Sequence, residues 1–207
     1  MNKWERQYQF YHSIFPDVPT ITSPELIQKY RGLYFDTSEE SDRGDEDDGE
    51  INNECSLILI DVRTQPERAV SCIPSAISLE QYESGIKSGT ISLDADVVTY
   101  CTVGYRSGIE ARGLLDRYDH THDKIFSLDG IVAYTHAANA KRLVSGNSGQ
   151  ETRRIHTFGS MWGHVGTDYE ATSFGIGALI YRNLEVMGRT LVICLKRCSM
   201  CKKCKSS

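Results

Sequence analysis

Short apolar runs separated by amphipathic segments dominate the middle of the chain. Residues 57–62 (LILIDV), 97–100 and 124–128 have the composition of strands that are covered on both faces of a sheet. Residues 107–118 and 131–140 place their apolar positions largely on one side of a helix. Because strands and helices alternate along the chain, the pattern predicts an α/β fold, a three-layer open parallel sheet flanked by helices.

A further strand-to-helix unit precedes these elements. Residues 19–30 (PTITSPELIQKY) begin with a strand-like segment and continue into a helix, with Ser23 as the predicted N-cap. Domains cluster at roughly 100 to 150 residues, so most of the chain fits one domain. We predict this domain over residues 19–171, an N-terminal extension over residues 1–18, and a separate tail over residues 172–207.

A run of acidic residues interrupts the predicted domain between residues 36 and 54. This segment holds ten acidic residues and one basic residue, whereas the rest of the chain holds 18 acidic and 22 basic residues. The formal net charge of −5 therefore comes from this segment. An acidic run without apolar periodicity buries too little surface to offset its ordering entropy, so we expect a disordered insert. A role in binding a partner is the alternative.

The composition also bears on where the protein works. Apolar residues make up 40% of the chain, which is enough for a core, and no window reaches the roughly 20 uncharged apolar residues of a membrane span. The N-terminus is too charged and aromatic for a secretory signal. Seven cysteines without a regular framework favour a reducing compartment. We expect a cytoplasmic protein whose partners do not include nucleic acid.

One cysteine lies where a predicted strand gives way to a predicted helix. Cys101 follows the apolar run at residues 97–100 and precedes Thr-Val-Gly-Tyr-Arg at residues 102–106. Ligands of open parallel sheets bind at the carboxyl ends of strands, and amides leading into a helix N-terminus favour anions and lower the pKa of a cysteine. Cys101 is therefore a candidate nucleophile. Gly104 would allow a tight turn, and Arg106 would bind an oxyanion.

Other interpretations of these residues stay open at this stage. Cys101 could be a buried strand residue, as free cysteines commonly are. Asp61 and Arg63, at the end of the run at residues 57–62, could orient the loop or bind substrate, although such pairs are more often structural ion pairs. The histidines are scattered without the spacing of metal ligands.

Four segments in order resemble the rhodanese-like single-domain sulfurtransferase family, over about residues 20–171. LILIDVRTQPERAVSCIPSAIS is similar to a stretch in which an Asp-Val-Arg strand end and an acidic residue lead to His-Ile-Pro-Gly-Ala. VVTYCTVGYRSG is similar to the active-site loop, and FSLDGIVAYTHA and RRIHTFGSMWGHVGTDYEA are similar to two later segments. The chain departs from the family in five respects: Cys72 for His or Met, Ser75 for Gly, Asp129 for Glu, one glycine rather than two after Asp129, and Tyr134 for Trp.

The resemblance implies a reaction and a role for each loop residue. Cys101 would attack a small-molecule sulfur donor such as thiosulfate, keep its outer sulfur as a persulfide, and pass that sulfur to a thiol or to cyanide. Arg106 would attract the anionic donor, and Asp61 and Arg63 would support the loop. No metal or organic cofactor is required. The persulfide would be stabilised by backbone amides of the substrate-binding residues Thr102, Val103, Gly104, Tyr105 and Arg106.

Loop length separates this reaction from phosphoryl transfer. Cell-cycle phosphatases related to the family use a loop one residue longer, with arginine six positions after cysteine. Here Arg106 is five positions after Cys101, and the sixth position is Ser107. The shorter loop favours a persulfide, so a phosphatase ranks below both a sulfurtransferase and a catalytically silent rhodanese-fold scaffold or binding module.

The tail carries a second cluster of cysteines, interleaved with basic residues. The spacing is compatible with a zinc or iron-sulfur site, with acylation and contact with an anionic membrane surface, or with an unstructured tail. We predict no metal, and retain contact with a membrane surface as a candidate interaction. The four cysteines of the tail are Cys194, Cys198, Cys201 and Cys204.

Overall fold

The computed structural model describes residues 3–31, 56–118, 123–157 and 162–173. The acidic insert at residues 36–54 and the four tail cysteines lie outside these ranges, so the expectations for both stay predictions. The domain boundaries drawn from the sequence also stay predictions.

Helices and strands alternate from the first described residues onward. In chain order the elements are α1 (Lys3–Ile14), β1 (Thr20–Ile21), α2 (Ser23–Lys29), β2 (Leu57–Asp61), α3 (Gln65–Val70), β3 (Ile77–Ser78), α4 (Leu79–Ser88), β4 (Asp96–Tyr100), α5 (Tyr105–Arg117), β5 (Ile125–Leu128), α6 (Ile131–Tyr134), β6 (Arg154–His156) and β7 (Glu170–Thr172).

Five of the strands form one parallel sheet in the order β1-β5-β4-β2-β3. Strand β4 lies in the middle, where it pairs with β2 on one side and with β5 on the other. The short strands β6 and β7 pair with each other in parallel. The predicted α/β fold with an open parallel sheet is confirmed, and the carboxyl end of β4 lies between the ends of two neighbouring strands.

Apolar residues pack on both faces of this sheet. Leu59 and Val98 point to one face, where they pack with residues of α2 and α6. Ile60 and Val97 point to the opposite face, where they pack with residues of α4 and α5. Successive residues of a strand alternate between faces, so each strand contributes to both cores. The sheet is therefore the middle of three layers, as its continuous apolar runs predict.

The start of α2 differs from the prediction by one residue. Thr22 is the N-cap, in extended conformation, and forms a capping box with Glu25. The Ser23 hydroxyl, predicted to cap the helix, instead donates to the Asp129 carboxylate at 2.5 Å. A serine that is buried against a distant acid cannot also satisfy the helix end, so the cap falls to the preceding threonine.

The helix predicted over residues 131–140 is also shorter than expected. It ends at Tyr134, and turns carry the chain to residue 140. The Thr135 hydroxyl accepts a hydrogen bond from the Gly166 amide at 2.8 Å, which fixes the end of α6 to a later segment. Along the described ranges, no helix has the length and apolar character needed to cross a membrane.

Candidate active site

Cys101 immediately follows β4 and begins the loop that leads into α5. The turn between β5 and α6 holds this loop from behind: the Ile131 amide donates to the Cys101 carbonyl at 2.8 Å, and the Val132 amide donates to the Thr102 carbonyl at 3.2 Å. Gly130 permits this approach, because a Cβ at that position would lie 2.7 Å from the Thr102 carbonyl oxygen. The position of the thiol is therefore set by two neighbouring strands of the sheet.

One amide of the loop and one hydroxyl from the first turn of α5 lie close to the sulfur. The Gly104 amide donates to Cys101 Sγ at 3.2 Å, and the Ser107 hydroxyl lies 3.8 Å from the same atom. Ser107 is itself positioned by the Ser127 hydroxyl, which donates to it at 3.1 Å. Gly104 has a φ of 93°, a conformation that favours glycine. These donors are suited to stabilise negative charge on a sulfur atom.

The thiol itself is enclosed. Cys101 is 1% exposed and belongs to the apolar cluster that contains Phe15 and Ile109. The structure agrees in part with both interpretations of Cys101. The residue is buried, as a structural cysteine would be, and an amide and a hydroxyl also lie close to its sulfur, as a nucleophile would require. The two free cysteines of the described ranges, Cys101 and Cys72, differ in this respect, since Cys72 is half-buried.

Arg106 does not extend freely from the loop. Its guanidinium forms two hydrogen bonds with the Glu67 carboxylate, at 2.9 and 2.8 Å, and a third contact at 3.3 Å with the Thr102 hydroxyl. The Arg106 side chain is 11% exposed and that of Glu67 is fully buried. The arginine predicted to attract an anionic donor is therefore paired with a carboxylate from α3, and its role toward a donor stays a prediction.

Glu67 lies at the centre of a buried charge network that the sequence analysis missed. Its carboxylate accepts hydrogen bonds from the Thr64 amide at 3.0 Å and the Thr64 hydroxyl at 2.7 Å, and lies 3.6 Å from His156 Nδ1. Burial alone would raise the pKa of Glu67, but the nearby His156 ring, the hydrogen bonds from Arg106 and the charges of Arg106 and Arg63 hold it well below its usual range. The spacing Thr-x-x-Glu of a capping box was the available signal for Glu67.

Asp61 and Arg63 form a completely buried ion pair at the end of β2. Arg63 Nε and Nη2 contact the Asp61 carboxylate at 2.9 and 2.6 Å, and Nη2 also donates to the Ser71 carbonyl at 2.5 Å. Burial would lower the pKa of Arg63, but the charge and hydrogen bonds of Asp61 outweigh burial and hold this pKa above its usual value. The guanidinium lies 5.7 Å from the centre of the Tyr100 ring, which packs on the sheet face opposite Cys101. This geometry suits a structural support for the loop.

The remaining predicted loop residues lie around the thiol in different environments. Thr102 is fully buried, whereas Val103 and Tyr105 are half-buried. The Tyr105 ring contacts Tyr11 of α1, with 5.5 Å between ring centres. Roles for these residues in binding substrate stay predictions. In the described ranges, no group of three or more His, Cys, Asp or Glu side chains is arranged to hold a metal ion.

Two departures from the family pattern have visible structural effects. Ser75, where glycine is usual, has a φ of 60°, in the left-handed region that disfavours most side chains. Asp129 accepts hydrogen bonds from the Ser23 amide at 3.0 Å and from the Ser23 hydroxyl. Burial raises the pKa of Asp129 to about 7, whereas the Ser23 hydrogen bonds act in the opposite direction. This carboxyl connects the start of α2 to the turn behind the Cys101 loop.

Part of the chain is similar to known proteins. Residues 46–136 match the family model of the rhodanese-like domain, a range that includes β2 to α6. A curated protein named sulfurtransferase, from Allochromatium vinosum, is 41% identical over 51 residues. The matched stretch covers 25% of this chain and 48% of that relative, so the match extends over about half of the relative's length.

Proposed function

We propose that this chain, whose residues 46–136 match the rhodanese-like domain, is a sulfurtransferase in which Cys101 carries the transferred sulfur. Both the matched domain and the similarity to a sulfurtransferase support a sulfurtransferase-type role. The finer proposal is that a sulfane-sulfur compound such as thiosulfate is the donor, that the intermediate is a Cys101 persulfide, and that a thiol or cyanide is the acceptor.

The reaction proceeds in two displacements at sulfur. The Cys101 thiolate attacks the outer sulfur of thiosulfate, a sulfur–sulfur bond forms, and the bond to the sulfonate breaks to release sulfite. Cyanide then attacks the outer sulfur of the persulfide, which yields thiocyanate and regenerates the thiolate. With a thiolate acceptor, the second step gives a new persulfide on the acceptor. Electrons and charge balance in each step without a metal or redox cofactor.

The observation that carries this proposal is the hydrogen bond of 3.2 Å from the Gly104 amide to Cys101 Sγ. A donor held by the backbone is already oriented when charge develops on sulfur, and it therefore stabilises the charged forms without reorganisation. The Ser107 hydroxyl lies 3.8 Å from the same sulfur, but its single proton also has the Gly104 carbonyl as an acceptor at 3.0 Å, so the Gly104 amide is the main donor. A thiol that served packing alone would not require glycine in a left-handed turn to direct an amide at it.

The burial of the thiol favours a second candidate function. Cys101 is 1% exposed, and a rhodanese-fold scaffold without turnover would tolerate such a closed site. This candidate predicts that Cys101 does not acquire sulfur even when a donor is in excess. The two candidate functions thus differ in whether Cys101 gains a sulfur atom from the donor.

The test is intact-mass spectrometry of the full chain after treatment with thiosulfate. We expect a gain of about 32 Da, one sulfur atom, that is lost on addition of cyanide with release of thiocyanate. Cys101→Ser should abolish both the gain and thiocyanate formation. Cys72→Ser is the matched control, because it removes the other free cysteine of the described ranges and should leave both unchanged.

The result decides between the two functions. Sulfur that is carried by wild type and by Cys72→Ser, but not by Cys101→Ser, identifies the carrier. If none of the three proteins gains a cyanide-labile sulfur, the scaffold is the better description. If Cys101→Ser gains sulfur as readily as wild type, the carrier is a different cysteine and the assignment of Cys101 is wrong.

A further inference from the structure

Three buried hydroxyls lie close together where α5 packs on the sheet. Thr99 of β4 and Ser127 of β5 are register partners in the parallel sheet, and Ser107 lies in the first turn of α5. Thr99 and Ser107 are fully buried, and Ser127 is 4% exposed. Because burial of a hydroxyl is costly unless it is hydrogen-bonded, the partners of these groups indicate what each one does.

Thr99 and Ser127 both bond to Ser107, but at different atoms. The Thr99 hydroxyl donates to the Ser107 carbonyl at 3.1 Å, so it supports the backbone at the start of α5. The Ser127 hydroxyl donates to the Ser107 hydroxyl oxygen at 3.1 Å. That oxygen lies 3.8 Å from Cys101 Sγ. Ser127 therefore contacts the atom of Ser107 that is close to the sulfur, whereas Thr99 does not.

The bond from Ser127 determines how the Ser107 hydroxyl is used. A hydroxyl carries one proton and accepts through its oxygen. Since Ser127 already donates to that oxygen, the Ser107 proton is left for an acceptor, either the Gly104 carbonyl at 3.0 Å or the sulfur. Accepting a hydrogen bond also polarises a hydroxyl and makes it a stronger donor. Ser127 thus strengthens a donor that has a neutral carbonyl and the sulfur within reach.

The charge on the sulfur decides between these two acceptors. A hydrogen bond to an ionised acceptor is roughly twice as strong as one to a neutral acceptor. In the second step of the proposed reaction, cyanide attacks the outer sulfur, a carbon–sulfur bond forms and the sulfur–sulfur bond breaks. Cys101 Sγ leaves with the bonding electrons as a thiolate. As this charge develops, the Ser107 proton turns from the Gly104 carbonyl to the sulfur, which requires rotation of the hydroxyl alone.

We propose that Ser127 is a positioning residue for the step that discharges sulfur to the acceptor. It orients and polarises the Ser107 hydroxyl, which stabilises the departing Cys101 thiolate. No proton is transferred from either serine. This inference rests on the proposed sulfurtransferase function and adds a residue to its second step. The same stabilisation does not assist the first step, because a more stable thiolate is a weaker nucleophile.

The experiment measures the two steps separately on the full chain at about pH 9.5, where an ordinary cysteine is ionised. Uptake is followed by rapid quenching and intact-mass spectrometry after mixing with thiosulfate. Discharge is followed by release of thiocyanate when the sulfur-loaded protein, freed of donor, is mixed with cyanide. We expect Ser127→Ala to slow discharge about threefold without slowing uptake. The ratio of discharge rate to uptake rate should therefore fall about threefold or more, whereas a disturbed loop would slow both steps.

Matched variants isolate the hydroxyl from the shape of the side chain. Ser127→Thr keeps a hydroxyl and Ser127→Val replaces it with a methyl group, so Ser127→Val should reproduce the effect of Ser127→Ala and Ser127→Thr should not. Thr99→Val removes the buried hydroxyl that bonds the Ser107 carbonyl, and it should leave the ratio unchanged. Thermal unfolding confirms that each variant is folded before its rates are compared.

A double variant tests whether Ser127 acts through Ser107. Ser107→Ala should lower the ratio at least as far as Ser127→Ala does. Adding Ser127→Ala to Ser107→Ala should then produce no further change, because the hydroxyl that Ser127 orients is already absent. A further decrease in the double variant would mean that Ser127 acts by another route, and the inference would be wrong.

The remaining outcomes separate this inference from the function on which it rests. If Ser127→Ala slows uptake and discharge equally, or if Ser127→Thr and Ser127→Val give the same ratio, the role of Ser127 is refuted while sulfur transfer at Cys101 stands. If wild type gains no cyanide-labile sulfur at Cys101, the proposed function fails and this inference fails with it.

Discussion

The ends of the adjacent strands β2 and β4 carry similar residues and use them differently. At the end of β2, Asp61 and Arg63 pair with each other, and both side chains are completely buried. At the end of β4, Cys101 has an amide and a hydroxyl directed at its sulfur, and Arg106 reaches away to Glu67. The β2 end therefore satisfies its own charges, whereas the β4 end holds a buried thiol, and the arginine of its loop takes a charge partner from a neighbouring element.

The difference shows how one strand end supports the other. Helix α3 begins directly after the Asp61–Arg63 turn, and its Glu67 holds the Arg106 guanidinium. Fixing the turn thus fixes the position of the carboxylate that orients Arg106. A fold of this kind can place its structural charges at one strand end and leave the neighbouring end available for chemistry.

Breaking the pair at the β2 end should have the largest effect on stability. Asp61→Ala leaves the Arg63 guanidinium buried without its carboxylate, and such a loss costs about 3 to 5 kcal/mol. We expect this decrease in the free energy of unfolding, measured by urea denaturation at pH 7. Sulfur transfer per folded molecule should change much less than it does in Cys101→Ser.

The conservative variant at the same position provides the control. Asp61→Asn keeps a side-chain carbonyl that can accept from the Arg63 amide, so it should lose less stability than Asp61→Ala. If Asp61→Ala is as stable as wild type but does not transfer sulfur, Asp61 has a functional role and the β2 end is not purely structural.

The link between the two strand ends is Glu67. Glu67→Gln removes the charge that pairs with Arg106, and we expect a decrease of about 3 kcal/mol in the free energy of unfolding at pH 7. Because the pKa of Glu67 is held below its usual value of 4.5, the stability contributed by the carboxylate is present above that pH and declines as pH falls below it. The difference between wild type and variant should therefore shrink below pH 4.5, measured by urea denaturation at several pH values. A constant difference down to pH 3 would contradict the assigned network.

The smallest expected effect lies at the turn behind the Cys101 loop. The pKa of Asp129 is raised from 3.8 to about 7, so the folded protein holds a proton that the unfolded chain releases. The stability that depends on this proton is complete below pH 3.8 and is lost as pH rises toward 7. Asp129→Asn should remove this dependence, which we expect to amount to about 2 kcal/mol between pH 5 and 7.

A comparison of the two proteins isolates this residue from all other titrating groups. The difference in unfolding free energy between wild type and Asp129→Asn is measured across the same pH range. If the unfolding free energies of wild type and Asp129→Asn change with pH in parallel, the Asp129 carboxyl is ionised in the folded protein throughout this range. Burial would then not govern its protonation.

Local patterns in the sequence were sufficient for the three central strands of the sheet, β2, β4 and β5, and for the position of the thiol, but they did not indicate the edge strand β3. The runs at residues 57–62 and 97–100 predict strands that the structure contains as β2 and β4, because continuous apolar sequence specifies burial on both faces. Gly104 was predicted to form a tight turn, and its φ of 93° agrees with that prediction. These features depend on neighbours in the chain, which periodicity and turn chemistry describe.

Contacts between distant residues could not be predicted in the same way. The Arg106–Glu67 pair and the Tyr11–Tyr105 contact join segments far apart in sequence, and nothing in the composition of either segment names its partner. The Ser23 cap was wrong for the same reason, since Asp129 binds that hydroxyl. The strands β6 and β7 are three residues each, too short for a periodic signal.

Gly130 lies directly against the backbone of the Cys101 loop. With a φ of 109°, this residue brings its backbone so near to Thr102 and Val103 that a methyl group there would collide with both. The backbone of the Cys101 loop therefore has no space to move toward the turn between β5 and α6 when a reagent binds. Space for the reagent has to come from the opposite side of the loop. A larger reagent would then displace helix α1, while the backbone around the sulfur keeps its conformation.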